Sequence, residues 1–238
     1  LVISREAGMR LWGPNCMGLF NVHQMKVLSF MMPVMWKDRL QRGTVSLVVQ
    51  SGMLSAGFLM QILSRTPFGL SKVCSIGNKM DVDEIDLLEY FVDDPETESI
   101  AMYLESIERG RRFFELARLT EKPIVVLKGG RTSYGAMAAV SHTAAFAQND
   151  KVLDSALRQA GVIRVNTLNE LMDMARSMSV MVIKKTHRAR LAVLAFSGGA
   201  AIVTCDGISD LGMELARLED ATISQIKSVF PDWMEPSN

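Results

Sequence analysis

His142 is the residue whose type and sequence neighbours most directly indicate a catalytic or binding role. It lies between the hydroxyls of Ser141 and Thr143 and follows a basic, glycine-rich stretch, 128–135, that is typical of a loop. Small, helix-favouring residues come next, so the pattern predicts a helix that starts just beyond the histidine. Backbone N–H groups and the helix dipole concentrate positive potential at such a start, which would let His142 carry or receive an anion. The alternative is a surface or capping histidine.

Two other polar groups stand at comparable points of the chain. Ser51-Gly52 follows an apolar run, and its N–H groups and hydroxyl can hold an anion. As plain structure, Ser51 is a helix N-cap. Glu105 ends the apolar run 101–104, where its carboxylate can accept a hydrogen bond from one imidazole nitrogen and leave the other nucleophilic. Its plain alternative is a solvated acid at the end of a strand.

The turn 75–83 is a weaker candidate for binding phosphate or substrate, through Gly77 and Asn78. As plain structure it is a loop between a strand and a helix, with Asp83 as the helix cap. The sequence contains neither G-x-x-x-x-G-K-[ST] nor G-x-G-x-x-G, so it predicts no P-loop and no dinucleotide-binding fingerprint in this chain.

Alternating elements must position these groups. Apolar runs predict strands at 44–49, 72–76, 99–104, 123–127 and 162–165, and helical patterns lie at 53–63, 84–91, 109–119, 151–160 and 168–181. Continuous apolar strands that alternate with helices are typical of a parallel sheet covered on both faces. The predicted fold is α/β, a flavodoxin-like, doubly wound domain over residues 40–182. Because ligands bind at the carboxyl ends of such strands, we expect Ser51, Glu105 and His142 to converge there.

A second β-turn-α pattern begins after the basic linker 184–188. It predicts a strand at 191–196, a helix from Ser197 towards Leu211, a strand at 213–216 and a helix at 220–229. Residues 188–238 are therefore expected to start a second α/β domain. Both ends of the chain suggest an excerpt from a longer polypeptide.

Composition narrows the class of protein. Lys plus Arg number 26 and Asp plus Glu number 26, and this zero net charge argues against a dedicated binder of nucleic acid or of a membrane surface. The three cysteines Cys16, Cys74 and Cys205 are widely separated, so the sequence predicts no zinc or other metal site and fits a reducing cytoplasm. No signal peptide is visible, and the uncharged stretch 191–205 is shorter than the about 20 residues that span a bilayer.

Several short runs occur together in a specific order. They are 13–18, 49–52, 75–79 with Asp81, 93–97, 103–105, 128–131 and 141–143, extended by 159–163. In these runs the chain resembles the α-type portion of the nucleoside-diphosphate-forming acyl-CoA synthetases. That superfamily includes succinyl-CoA synthetase and the ADP-forming acetyl-CoA synthetases. Each run is modest, but their joint order covers nearly the whole chain.

The resemblance implies a phosphohistidine mechanism. Acyl-CoA and phosphate exchange to an acyl phosphate, and the phosphoryl group moves to His142 and then to ADP or GDP. Glu105 matches the carboxylate that orients this histidine. The remaining matches are the phosphate-binding helix start Ser51, Gly52 and Met53, the loop candidates Gly77 and Asn78, and Asn15 and Cys16 next to CoA.

The resemblance also implies partners. Residues 1–39 match the tail of a CoA-binding Rossmann domain and its linker, and the nucleotide would be bound by an ATP-grasp domain or subunit. CoA, ATP or ADP with Mg²⁺, and a small carboxylic acid would take part in the complete enzyme, with none tightly bound to this part. One departure is Ala144-Ala145, where the family often has Gly-Ser; it bears on how closely the backbone approaches a phosphate.

Two other classes of function are compatible with parts of the sequence. One is a catalytically idle, synthetase-like regulatory domain of a lysine acetyltransferase-type protein, although loss of the histidine would be its mark and His142 is present. The other is a serine hydrolase, because Ser51, Glu105 and His142 follow the chain order of an α/β-hydrolase. A nucleophile elbow needs glycines where this chain has Val49 and Met53, which argues against the hydrolase.

Overall fold

The computed structural model describes residues 1–65, 67–143, 149–181, 190–231 and 233, with the side chains of 139–143 outside the description. The chain divides into two compact units, Leu1–Lys184 and Lys185–Asn238.

The described part of the first unit is built on a seven-stranded sheet. Its strands are β1 (Gly18–Asn21), β2 (Lys26–Ser29), β3 (Arg42–Val49), β4 (Leu70–Ser75), β5 (Ser99–Leu104), β6 (Ile124–Lys128) and β7 (Ile163–Val165). The order across the sheet is β2-β1-β4-β3-β5-β6-β7, and β3 to β7 are mutually parallel. From β3 the chain passes to β4 on one side and then crosses to β5 on the other. This is the flavodoxin-like order, and its switch point lies between the carboxyl ends of β3 and β5.

Helices cover both faces of the sheet. They are α1 (Val2–Glu6), α2 (Gly52–Ser64), α3 (Glu84–Asp93), α4 (Gly110–Leu119), α5 (Ser133–Thr143), α6 (Asp150–Gln159) and α7 (Leu168–Val180), with a 3-10 turn at Pro33–Met35. Side chains of β3 alternate between two buried clusters: Leu47 and Val49 pack into the cluster with α2 and α7, whereas Val48 packs into the cluster with α3 and α4. The predicted α/β fold with a sheet buried on both faces is confirmed.

Two strands were not identified from the sequence. β1 pairs antiparallel with β2 on one side and with β4 on the other, so the first residues of the chain extend the same sheet. The side chains of β2 alternate between exposed and half-buried, which leaves only a short, weak apolar pattern. The sheet is therefore mostly parallel, with an antiparallel hairpin at one edge.

The expected setting of His142 needs a correction. The sequence predicts a loop just before a helix, but the backbone of His142 lies within α5, which starts at Ser133. The free N–H groups and the positive end of the dipole belong to the first turn of a helix, and His142 lies well beyond that turn. Donors to an anion at this residue must therefore come from other elements. Residues 144–148, including Ala144-Ala145, lie outside the described residues.

The second unit contains β8 (Arg190–Leu191), α8 (Gly198–Asp210), β9 (Glu214–Leu215) and α9 (Asp220–Lys227). The predicted order of strand, helix, strand and helix is confirmed, and β8 and β9 are parallel. The strand predicted over 191–196 is shorter than expected, because only Arg190 and Leu191 have partners on β9. Among the described residues, no helix is both long enough and apolar enough to cross a bilayer.

Candidate functional site

A cavity of about 370 Å³ lies where β3 and β4 end. Its lining residues are Asn15, Cys16, Phe30, Gln50, Ser51, Gly52, Met53 and Asn78. Six of the predicted site residues are among them, and they come from three separate segments of the chain. The structure thus brings together the predicted phosphate-binding turn, the loop after β4 and the run 13–18.

The first turn of α2 forms one wall of the cavity. Ser51 is the N-cap, and its Oγ accepts a hydrogen bond from the N–H of Leu54 at 3.4 Å. Gly52 and Met53 occupy the first helical positions, where backbone N–H groups have no acceptor within the helix. The plain prediction for Ser51 is therefore confirmed. The arrangement also leaves N–H donors at the cavity, which suits an anion.

The run 13–18 reaches the cavity because it packs on the loop after β4. The N–H of Asn78 donates to the carbonyl of Pro14 at 3.0 Å. Gly77 has a positive φ of 53°, and a Cβ built on it would lie 2.2 Å from the Pro14 oxygen. Cys16 lies against the start of α2, since a Cβ on Gly52 would be 3.4 Å from its Cα. Burial raises the pKa of the Cys16 thiol, so this group stays neutral.

Glu105 is held beside the same helix start through Gln50. The Oε1 of Gln50 accepts hydrogen bonds from the N–H of Glu105 at 2.7 Å and of Ser106 at 3.1 Å. On the carboxylate itself, Oε1 accepts a hydrogen bond from the hydroxyl of Tyr103 at 3.4 Å. Burial, reinforced by the charge of Glu105, raises the pKa of Tyr103 to about 12, so its phenol stays protonated as a donor.

The segment that leads to His142 starts against Glu105. The N–H of Gly129 donates to the carbonyl of Leu104 at 2.8 Å, and a Cβ on Gly129 would lie 3.7 Å from the Cγ of Glu105. The neighbouring Lys128 is buried, and burial lowers the pKa of its ammonium group. The His142 side chain lies outside the described part, so the predicted hydrogen bond from its imidazole to Glu105 stays a prediction.

A buried polar network behind the cavity was not identified from the sequence. The Nζ of Lys79 donates to Oε2 of Glu84 at 2.9 Å and to the carbonyl and Oγ of Ser106 at 3.1 and 3.0 Å. The two charged side chains are only 3% and 0% exposed. Burial raises the pKa of Glu84, and the ammonium group of Lys79 opposes that shift. Lys79 ends the run 75–79 and Gln50 lies within the run 49–52, and membership of these runs was the available signal for both residues.

In the described ranges no three His, Cys, Asp or Glu side chains cluster in a way that could hold a metal ion. The polar lining of the cavity consists of amide, hydroxyl and thiol groups and backbone N–H groups, without a carboxylate. Such a lining suits an anion better than a cation.

Comparison with known proteins gives a consistent result. The family described as "Succinyl-CoA ligase like flavodoxin domain" matches residues 42–178. The α subunit of acetate–CoA ligase [ADP-forming] II from Pyrococcus furiosus is 37% identical, over 96% of this chain and 48% of its own length. Acetate–CoA ligase [ADP-forming] II from Archaeoglobus fulgidus is 34% identical over 100% of this chain and 35% of its own length.

A solved structure shows the same likeness in three dimensions. The dinucleotide-forming acetyl-coenzyme A synthetase 1 of Ca. Korarchaeum cryptofilum, in complex with phosphate and ADP, superposes with a TM-score of 0.81 at 31% identity. The match covers 97% of this chain and 49% of that chain. The chain thus spans about a third to a half of the length of these relatives.

Proposed function

Because the chain belongs to the family of the succinyl-CoA ligase-like flavodoxin domain, we propose that it is the phosphoryl-relay part of an ADP-forming acyl-CoA synthetase. One observation carries the proposal. Residues from three predicted segments line one cavity at the carboxyl ends of β3 and β4, beside Glu105 and the segment that leads to His142. The complete reaction interconverts acyl-CoA, phosphate and ADP with a carboxylate, CoA and ATP.

Phosphate binding is the first role we assign. The N–H groups of Gly52 and Met53 point out of the first turn of α2, and the helix dipole adds positive potential there. Fixed donors of this kind stabilise a phosphate dianion and the charge that develops on it during transfer. Asn78 lines the same cavity and is the substrate-loop candidate. Gly77 lets the loop approach the run 13–18 closely, which brings Asn15 and Cys16 to the cavity as residues next to CoA.

The relay step belongs to His142. One imidazole nitrogen attacks the phosphorus of the acyl phosphate, the bond between phosphorus and the acyl oxygen breaks, and the carboxylate leaves. Glu105 accepts a hydrogen bond from the other nitrogen, fixes the tautomer and stabilises the positive charge that develops on the ring. Transfer of the phosphoryl group from His142 to ADP returns the histidine to its starting state.

The remaining functions belong to partners of this part of the protein. We propose that residues 1–39 are the tail of a CoA-binding domain and the linker from it, and that β1 and β2 of this segment join the sheet of the relay domain 40–182. We also propose that 188–238 begin a second α/β domain. An ATP-grasp domain or subunit would bind ADP or ATP with Mg²⁺, and the acid would be a small carboxylic acid, as in the acetate named for the relatives. The three free cysteines fit a reducing compartment, so we place the reaction in the cytoplasm.

Labelling of the histidine tests the proposal. The full-length protein with its partner, incubated with γ-labelled ATP and Mg²⁺, should gain an acid-labile, base-stable phosphoryl group. The His142→Ala variant should lose both the label and acyl-CoA synthesis. His23→Gln is the matched control, because His23 contacts the carbonyl of Gly43 at the far end of β3. Full labelling of His142→Ala would place the carrier elsewhere, and a wild-type protein without label would favour the regulatory alternative.

A further inference from the structure

We propose that the carboxamide of Gln50 binds the phosphoryl anion in the cavity, together with the first turn of α2. The inference rests on the proposed function, which puts phosphate in this cavity, and it assigns a further binding residue. Gln50 directly precedes the N-cap Ser51 and lines the cavity, and only 6% of its surface is exposed.

The orientation of the Gln50 amide is fixed by its oxygen. Oε1 accepts two backbone hydrogen bonds, from Glu105 at 2.7 Å and from Ser106 at 3.1 Å. The flipped amide would press its NH₂ group against these two N–H donors, so it is excluded. Nε2 must therefore lie on the other branch of the carboxamide, with two N–H donors to satisfy.

Within the part of the chain that the structure describes, one of those two donors has an acceptor and the other has none. Nε2 donates to Oγ of Ser106 at a long 3.4 Å, and the described residues provide no second acceptor. A buried N–H donor without an acceptor costs free energy, and native proteins satisfy nearly all of them. The cavity is lined by Gln50 itself, and an anion in it would supply the missing acceptor.

The network behind Gln50 keeps this donor in place. Lys79 uses its ammonium group on the carboxylate of Glu84 and on both oxygens of Ser106, so all three of its donors are occupied. Ser106 is thereby tied to the loop after β4 while its N–H holds Gln50. Because the lining carries no charged side chain, the anion would be held by neutral, preorganised N–H donors.

A substitution that keeps the shape of the side chain tests the inference in the full-length protein. Gln50→Glu keeps an oxygen for the N–H groups of Glu105 and Ser106, removes the Nε2 donor and adds a negative charge. Gln41→Glu is the matched control: Gln41 is exposed and precedes the amino end of β3, as Gln50 follows its carboxyl end. Inorganic phosphate is the probe, measured by the concentration that gives half of the maximal rise in Tm and by the KM for phosphate.

We expect both phosphate values to rise by about tenfold or more in Gln50→Glu, since a charge-assisted hydrogen bond is lost and a like charge is added. The KM for ADP should stay within about twofold in the same variant, because phosphate binding alone is altered. Gln50→Met, which has no donor, should raise the phosphate values too, and it decides the question if Gln50→Glu fails to fold.

Two results would overturn the role of Gln50: phosphate values in Gln50→Glu or Gln50→Met equal to those of Gln41→Glu, or a wild-type protein whose Tm does not respond to phosphate. Failure of the relay is a separate outcome. Phosphate binding that depends on Gln50, without a label on His142, would support this inference and contradict the proposed function.

Discussion

At the scale of single residues, the role of Glu105 depends on how rigidly its backbone is held. The side chain of Gln50 accepts its N–H, and the phenol of Tyr103 donates to its carboxylate. Both contacts leave the carboxylate at the carboxyl end of β5, facing the segment that follows β6. A negative charge fixed at that point can stabilise an imidazolium that forms beside it.

In the proposed relay, replacing Glu105 by Gln should keep the fold and slow the phosphorylation of His142 by about a hundredfold, because a neutral amide stabilises imidazolium charge less well. Rapid-quench measurement of the labelling rate is the check. Glu108→Gln is the control, since Glu108 is an exposed acid three residues along the chain. Labelling of Glu105→Gln at the wild-type rate would show that another group orients the histidine.

A buried ion pair at the opposite end of the strands has a structural role. Lys72 Nζ lies 2.6 Å from Oδ2 of Asp94, and the two side chains are each 5% exposed. Burial opposes ionisation of Asp94, but hydrogen bonds from Lys72 and Thr97 outweigh it and lower its pKa. Because the folded-state pKa is lowered, the resulting stability is present above the unfolded value and is lost as pH falls through the folded value.

Asp94→Asn should therefore destabilise the protein by about 2 kcal/mol at pH 7, because Lys72 loses the charge of one of its two carboxylate partners and keeps only Glu96, at 2.9 Å. The difference from wild type should shrink as pH falls below about 4. Urea unfolding at pH 7 and pH 3 measures both values. The exposed neighbour Asp93, changed to Asn, should shift stability by less than about 0.5 kcal/mol. A constant deficit at both pH values would contradict the titration argument.

The candidate site was partly predictable because strand ends are predictable. Ser51 and Glu105 each follow a continuous apolar run. Because the carboxyl ends of parallel strands meet at one edge of the sheet, both residues are expected at that edge. The contribution of Asn15 and Cys16 followed from the family resemblance alone, since nothing local shows that 13–18 packs on Gly77. The roles of Gln50 and Lys79 could not be predicted from the sequence for a related reason. Their partners are backbone and side-chain groups of residues far along the chain, which spacing does not reveal.

At the scale of elements, long apolar runs were predicted best. β5 has the predicted bounds, and β3 extends the prediction by two residues at its amino end. The glycines and hydroxyls that dominate 129–135 predict a loop where the structure has the start of α5. Its later residues, such as Ala136 and Ala138, are good helix formers, and Thr132 Oγ1 accepts from the N–H of Gly135 near its start. The helix propensity of these later residues therefore decides the structure of the segment, and the helix extends back to Ser133.

The junction between the run 13–18 and the loop after β4 can be tested through Gly77. Its φ of 53° disfavours other residues, and a Cβ would meet the Pro14 oxygen at 2.2 Å. Gly77→Ala should lower the free energy of unfolding by more than about 1 kcal/mol and raise the KM for CoA, because the loop must move away from Asn15 and Cys16.

Gly57→Ala is the control for that prediction, because the same substitution should have the opposite effect on stability there. Gly57 lies within α2, and a Cβ there meets nothing within 4 Å. Alanine should therefore stabilise the helix by up to about 1 kcal/mol, without an effect on the KM for CoA. Chemical denaturation and steady-state kinetics measure both variants. A neutral Gly77→Ala would mean that the two loops do not depend on this close approach.

At the scale of the whole molecule, the two units differ in how much apolar surface they bury. The first has two buried clusters, one on each face of its sheet. In the described part of the second, Ile208 is the buried hydrophobic residue, whereas Leu194, Phe196 and Trp233 are largely exposed. Burial of apolar surface is the main favourable term in folding, so the units should differ in autonomous stability.

A fragment of residues 1–184 should therefore unfold in one cooperative thermal transition, whereas a fragment of residues 185–238 should show none. The second fragment has two-residue strands and little buried apolar surface with which to offset the conformational entropy of its chain. Its exposed apolar groups should bind a hydrophobic dye that the first fragment does not bind. Circular dichroism melting and dye fluorescence measure the two properties. A sharp, dye-free transition in the shorter fragment would show that its helices pack into a core of their own, and the difference in burial between the units would then be the wrong guide to their stability.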